Sequence, residues 1–335
     1  MDELVVGADL GGTSTRLAVA TTAGAWLATV TGAGGNPTTH GVEPAAAELG
    51  KAARRALAGL DPRAVRAVVI GVAGRATLDD PRATRAFTDA LVAEGVAARP
   101  GFVGDAEVAF CSATPDPGGT VLLAGTGAMA VQIRARRSAA TSDGLGWLLG
   151  DEGSAFWLGR EAVRASIAAI CGTAPPTTLT AAVSLRLLGA PPTGPAYRRR
   201  SALIRAAASH PPIELAALAP LVVEAEEAGD ETAAAICDEA TAHLARLVAD
   251  VRDPAEAAPL VLNGSVVRSP GSPVGRRLRT LLAERFTGDV LTPADGIAGA
   301  AWLAVRTVHP RRTDEQLAEV HARLIGAHPG AAQRP

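Results

Sequence analysis

The stretch LVVGADLGGTSTRLAVA, residues 4–20, decides the fold. Leu4 to Asp9 is a short apolar run rich in β-branched residues, a glycine pair follows, and Arg16 to Ala20 resumes apolar character, which together read as a hairpin. The turn carries more than a reversal needs. Asp9 places a carboxylate at a strand end, Gly11 and Gly12 let backbone approach an anion, and the hydroxyls of Thr13 and Ser14 can donate to it. Magnesium bound to ATP keeps several waters, so Asp9 suffices as a metal-binding carboxylate acting through them. The same residues, taken alone, also fit a plain glycine-rich turn.

The plan recurs. Val121 to Ala124 is a buried strand that runs into Gly125, Thr126 and Gly127, and Ala128 to Ile133 continues beyond, an internal duplication of a phosphate-binding hairpin. A third glycine turn, Asn263-Gly264-Ser265, follows the strand Pro259 to Leu262. Between the first two turns lies Val103-Gly104-Asp105-Ala106-Glu107, which puts Asp105 at a strand end, where α/β sheets place ligand-binding groups. A carboxylate there can take the proton of a sugar hydroxyl during phosphoryl transfer; it can also cap the helix that follows. The single lysine, Lys51, is flanked by Gly50 and Ala52 and has no glycine at position 45, so a Walker A loop is excluded.

Further strands are expected at 26–31, 67–73 and 101–104, and helices at about 43–58 and 82–95. Residues 155–250 have helical periodicity broken by proline loops at 174–176, 191–195 and 211–212. Asp295 to Ala304 opens another helix, and a last amphipathic one ends near Gly326. The class is α/β. At 335 residues two domains are expected, 1–117 and a larger 118–335, with the final helix, about 312–326, able to pack on the first. Apolar residues are 48% and charged residues 20%, with a net charge of -2, a balance that argues against nucleic acid or an anionic membrane as partner. The N-terminus MDELVVGAD lacks the basic region of a signal peptide, and a cytoplasmic protein is expected.

These residues resemble the N-acetylglucosamine kinases of the BadF/BadG/BcrA/BcrD group, within the actin, sugar kinase and Hsp70 superfamily. The resemblance runs from Asp9-Leu10-Gly11-Gly12-Thr13 through Asp105, Gly125-Thr126-Gly127 and Gly264-Ser265 to Asp295 and Ala300, and its most specific element is GLGWLLGDEGSA, residues 144–155. It implies two actin-like (ribonuclease H-like) domains, each a mixed sheet flanked by helices, around a nucleotide cleft. It implies an ATP- and magnesium-dependent amino-sugar kinase, acting on the 6-hydroxyl of N-acetylglucosamine, as a homodimer. By the same resemblance Asp105 is the base, while Asn36, Gly144, Leu145, Gly146 and Asp151 line the sugar pocket. Thr13 and Thr126 meet the ATP phosphates with the neighbouring Gly11, Gly12, Ser14 and Gly127; Gly264, Ser265 and Ala298 lie by the adenosine.

Several of these positions have a second reading. Asn36 precedes Pro37 and is also a turn signal, and Asp151 or Ser154 can cap the helix beginning near Ala155. Ala128 and Met129 stand where animal members carry polar residues, and Leu145 stands in place of an aromatic residue, with Trp147 two places later. Glucosamine and N-acetylmuramic acid therefore remain alternative acceptors. A rival of another class is the ATPase that activates a dehydratase without phosphorylating sugar. Those activators hold an iron-sulfur cluster by converging thiolates, whereas Cys111, Cys171 and Cys237 are far apart and in no metal-ligand spacing.

Overall fold

A computed structural model describes residues 2–74, 80–269 and 271–327. The opening hairpin is β1 (Leu4–Leu10) and β2 (Ser14–Thr21), continued by β3 (Trp26–Ala33). A single turn of helix, α1 (Pro37–His40), leads into α2 (Val42–Ala56), then β4 (Val65–Val72), α3 (Pro81–Ala93), β5 (Pro100–Gly104) and α4 (Asp105–Ala113). The sheet order is β3-β2-β1-β4-β5. β1 is antiparallel to β2 and parallel to β4, and β4 is parallel to β5. Asp9 lies opposite Gly71, and Val72 opposite Gly104, so Asp9, near the carboxyl end of β1, and Asp105, just past that of β5, stand at the same edge of this sheet.

The second sheet has the order β10-β9-β6-β7-β8, built from β6 (Gly119–Ala124), β7 (Ala128–Arg134), β8 (Arg137–Asp143), β9 (Leu260–Asn263) and β10 (Val290–Leu291). Between β8 and β9 come five helices: α5 (Ala155–Cys171), α6 (Leu179–Leu188), α7 (Ala196–Ala208), α8 (Ala219–Glu227) and α9 (Glu231–Val251). α10 (Ser265–Arg268) and α11 (Pro273–Arg285) precede β10, and α12 (Gly296–Val308) and α13 (Asp314–Gly326) close the described chain. The periodicity of 155–250 thus resolves into separate helices at its proline loops. The exposed strand β8, which lacks an apolar face, is one element that the hydrophobic pattern did not announce.

The compact units are not two consecutive stretches of chain. The described residues up to Gly118, together with Ile133–Ser138 and those from Pro293 on, form one; Gly119–Gln132 and Ala139–Thr292 form the other. A single break near residue 117, even with the final helix packed on the first domain, therefore leaves out Ile133–Ser138 and α12. The reason is α12. Glycines let it seat against the first sheet: a Cβ on Gly7 of β1 would stand 2.4 Å from the Ala301 nitrogen, and one on Gly299 would stand 2.1 Å from the Val108 carbonyl oxygen of α4. Backbone packs on backbone at both points. Each unit has its own apolar core, one around Val6, Leu17, Ile70 and Phe87, the other around Leu122, Leu158, Leu244 and Leu262. Among the described residues no single helix is long and apolar enough to cross a membrane.

Candidate active site

In the first unit the turn after β1 closes with the Gly11 N–H donating to the Ser14 carbonyl, 2.9 Å. Gly12 and Thr13 are exposed. The loop that carries Asn36 wraps this turn, because the N–H groups of Gly35 and Asn36 both donate to the Gly11 carbonyl at 3.1 Å. Glycine is required there, since a Cβ on Gly34 would meet the Gly12 carbonyl at 2.2 Å and His40 Nε2 at 2.4 Å. Asn36 itself is buried and caps α1: its Oδ1 accepts from Thr38 and Thr39 N–H, and its Nδ2 donates to the Ala73 carbonyl at 2.9 Å.

Asp9 faces Arg16 across the hairpin, as the register Asp9↔Arg16 dictates. Arg16 Nη2 lies 2.5 Å from Asp9 Oδ2, and Nη1 donates to Asp295 Oδ2 at 2.8 Å, so one guanidinium bridges two carboxylates. Asp295 also caps α12 through the Ile297 N–H, and a Cβ on Gly296 would stand 2.7 Å from Asp9 Oδ2. Burial pushes the Asp9 carboxyl above its ordinary range; Arg16 pulls it back and Asp295 pushes it further up. Arg16 was not singled out in the sequence, although it is the one charge in β2 and lies directly opposite Asp9 once the hairpin is paired.

Asp105 is the first residue of α4, and the cap position is taken by Gly104, whose N–H donates to Glu107 Oε2 at 2.9 Å. The capping alternative is thereby answered. Asp105 Oδ1 accepts from the Ala106 N–H at 3.0 Å. Its residue surface keeps an edge to solvent, yet the carboxyl is enclosed, and burial is the leading cause that pushes it up to about 6. The Ala106 N–H works against this shift, and the negative charges of Asp9 and Glu107 add to it. A carboxylate poised near neutrality is suited to accept a proton in a reaction. Ala298, expected beside a nucleotide, is fully buried in α12 and has no surface to offer a ligand in this structure. The start of the helix lies beside Arg16 and Asp9 through Asp295 and Gly296.

In the second unit, β6 and β7 meet at Gly125-Thr126-Gly127, where the Gly125 N–H donates to the Gly127 carbonyl. The start of α5 backs onto this turn, Ala155 N–H to the Gly125 carbonyl at 2.8 Å and Phe156 N–H to that of Thr126 at 3.2 Å. Ser154 caps α5 through the Trp157 N–H. Asp151 is thus released from capping. It is buried, has φ 60°, and its Oδ1 accepts from the Ala128 N–H at 2.9 Å; a Cβ on Gly127 would meet that oxygen at 2.6 Å. Burial raises the Asp151 carboxyl above its usual range.

The loop 144–150 is organised by Asp143, also at positive φ, whose carboxylate accepts from the N–H groups of Leu145, Asp151 and Glu152. A Cβ on Gly150 would stand 2.0 Å from Asp143 Oδ1. The Asp-Gly pair 143–144 is a turn signal that could have disclosed this residue. Gly144 and Gly146 have φ of 75° and 80°, and Leu145, Leu148 and Leu149 are exposed.

The third glycine turn joins the second. Gly264, at φ 105°, has room only for hydrogen, because a Cβ would meet the Ala124 carbonyl oxygen at 2.3 Å and the Gly125 nitrogen at 2.7 Å. Beyond it opens a cavity of about 380 Å³ lined by Leu158, Ala219, Val223, Ser265, Val266 and Val274, with the carboxylates of Glu224 and Glu227 at its wall. Thr126 lines another, of about 480 Å³, with Arg186, His210 and Glu214.

Residues 6–304 match the model of the BadF/BadG/BcrA/BcrD ATPase family. The chain belongs to that family. Its fold is that of a candidate N-acetylglucosamine kinase from Chromobacterium violaceum, with 23% identity, TM-score 0.69, and coverage of 91% of this chain and 99% of the other. A candidate N-acetylglucosamine kinase from Porphyromonas gingivalis is similar at 20% identity and TM-score 0.63, covering 96% and 98%. A ROK family glucokinase from Streptomyces griseus, solved with glucose and AMPPNP, aligns at 20% identity and TM-score 0.51, over 90% and 99%. The α/β architecture of this family member, with two mixed sheets flanked by helices, is the actin-like one that these neighbours share.

Proposed function

We propose that this chain is an ATP-dependent amino-sugar kinase that transfers the γ-phosphoryl group to the 6-hydroxyl of N-acetylglucosamine. The observation that carries the reading is Asp105, an enclosed carboxyl at the end of a parallel strand, held near pKa 6, with Asp9 paired to Arg16 on the same sheet edge. In the reaction the Asp105 carboxylate takes the hydroxyl proton as the sugar oxygen bonds to phosphorus and the bond from the γ-phosphorus to the bridging oxygen breaks. Asn36 has spent its Oδ1 on the α1 cap and one N–H on Ala73; its second N–H is the group offered to the sugar. Asp151, with Gly144 to Gly146, supplies the remaining polar contacts.

ATP is assigned to the glycine turns, of which Gly12 and Thr13 are exposed. The apolar cavity beyond Ser265 suits an adenine, and Glu224 and Glu227 suit ribose hydroxyls. Magnesium would arrive with ATP: Arg16 already occupies the space between Asp9 and Asp295, and no cluster of three or more metal-ligating side chains exists among the described residues, so Asp9 would act through water. Work in the cytoplasm as a homodimer completes this reading.

The deciding experiment is ADP release over N-acetylglucosamine, glucosamine, N-acetylmannosamine, N-acetylmuramic acid and glucose, for the wild type and Asp105→Asn. Sugar-dependent release with N-acetylglucosamine preferred, lost by at least about a hundredfold in the variant with ATP binding retained, is the expected result. ATP hydrolysis indifferent to every sugar would overturn the kinase reading, and unchanged turnover in Asp105→Asn would overturn the base.

A further inference from the structure

Away from the glycine turns, the first unit contains a cavity of about 350 Å³ between the exposed edge of β5, at Phe102 and Val103, and the last turns of α12. Three arginines line it, Arg136, Arg137 and Arg306. Arg136 is more than nine-tenths buried, and with Ala135 (φ 49° and 63°) it forms the two-residue hairpin turn that joins β7 to β8. It donates through Nε and Nη2 to the Pro115 carbonyl, at 3.2 and 2.7 Å. Arg136 and Arg306 both stand 5.3 Å from the ring centroid of the buried Trp302, which fixes their planes.

The negative charge facing these groups is thin. Asp314 Oδ1 approaches Arg136 Nη2 at 3.5 Å and Arg306 Nη1 at 3.8 Å, but its side chain is 84% exposed. Glu107 lies 3.6 Å from Arg137 Nη1, and its oxygens already accept from the N–H groups of Gly104 and Ser138. Arg306 Nη1 is buried with no hydrogen-bond partner, and burial together with the charge of Arg136 holds its pKa below the ordinary value. Two like charges share one indole, and Arg137 and Arg306 both line the cavity. Guanidinium forks in that state match the oxygens of a phosphoryl group.

We propose that this cavity binds a phosphate dianion, free or as a phosphomonoester, through Arg137 and Arg306, with Arg136 as the fixed wall. The site draws on none of the residues assigned to phosphoryl transfer. Calorimetric titration of the full chain, with the nucleotide turns filled by a non-hydrolysable ATP analogue, tests it with two probes, inorganic phosphate and glucosamine 6-phosphate. Saturable binding is expected, weakened about tenfold or more by either Arg306→Gln or Arg137→Gln. Arg137 is 62% exposed, so its variant should fold even where Arg306→Gln disturbs the Trp302 stack. Equal affinity for both probes would assign the phosphate group alone as the ligand, and tighter binding of the ester would assign the ester. Affinities unchanged in Arg137→Gln, or no saturable binding of either probe, would overturn the proposal.

Discussion

Asp105 is held in a place that costs the folded protein stability, and that cost can be read in solution. Its carboxyl is raised from 3.8 to about 6 chiefly by burial. The folded state therefore favours the protonated form, so stability is greatest below the unfolded value and declines as pH climbs through about 6. Asp105→Asn should accordingly melt higher than the wild type at about pH 8, with the gain shrinking towards about pH 4, as thermal melts across that range will show. Catalysis should run the other way. A base must be unprotonated, so turnover is expected to fall on the acid side of about pH 6. Asn36 and Asp151 differ from Asp105 in that their bonds reach distant segments, Ala73 and Ala128, whereas Asp105 accepts from the adjacent Ala106 N–H.

At the scale of elements, the glycines that matter are those where helix meets sheet. Gly299 lets α12 approach α4, and the same seating brings Asp295 to Arg16 and so to Asp9. Gly299→Ala should lower unfolding free energy by about 2–3 kcal/mol, because the obstructing atoms at 2.1 and 2.9 Å, the Val108 carbonyl and the Ser112 nitrogen, are backbone and cannot step aside. Urea unfolding measures it. The variant should also lose turnover beyond its loss of stability, since shifting α12 withdraws Asp295 from Arg16.

For the whole molecule the return of the chain is decisive. α13 joins the first unit through hydrogen bonds that side chains make to distant carbonyls: Trp302 Nε1 to Leu317, Trp26 Nε1 to Leu324, and His321 Nε2 with Cys111, each 2.9 Å. Leu317, Val320 and Leu324 are buried beneath it. Ending the chain before Thr313 removes about 5 kcal/mol of apolar burial, a large part of the stability of an ordinary domain. Such a truncation is expected to lose cooperative unfolding of the first unit in calorimetry while the transition of the second remains. Two unchanged transitions would show that α13 is an ornament.

Local chemistry made the three glycine turns, the strands before them and the position of Asp105 legible in the sequence, because a turn that needs room for backbone or φ above zero selects glycine wherever it occurs. The element at 144–155 was legible through its resemblance to the family. What residues do when neighbours arrive from far along the chain was not. Asp295 reaches Arg16 across 279 positions, Ala298 is fully buried, Asn36 caps α1, and Asp105 is lifted by burial. Charge pairing and desolvation depend on distances that only packing sets. The sequence by itself determined the turns and the class of fold; the tertiary structure decided which carboxylates are paired, which are raised, and which stretch of chain completes each unit.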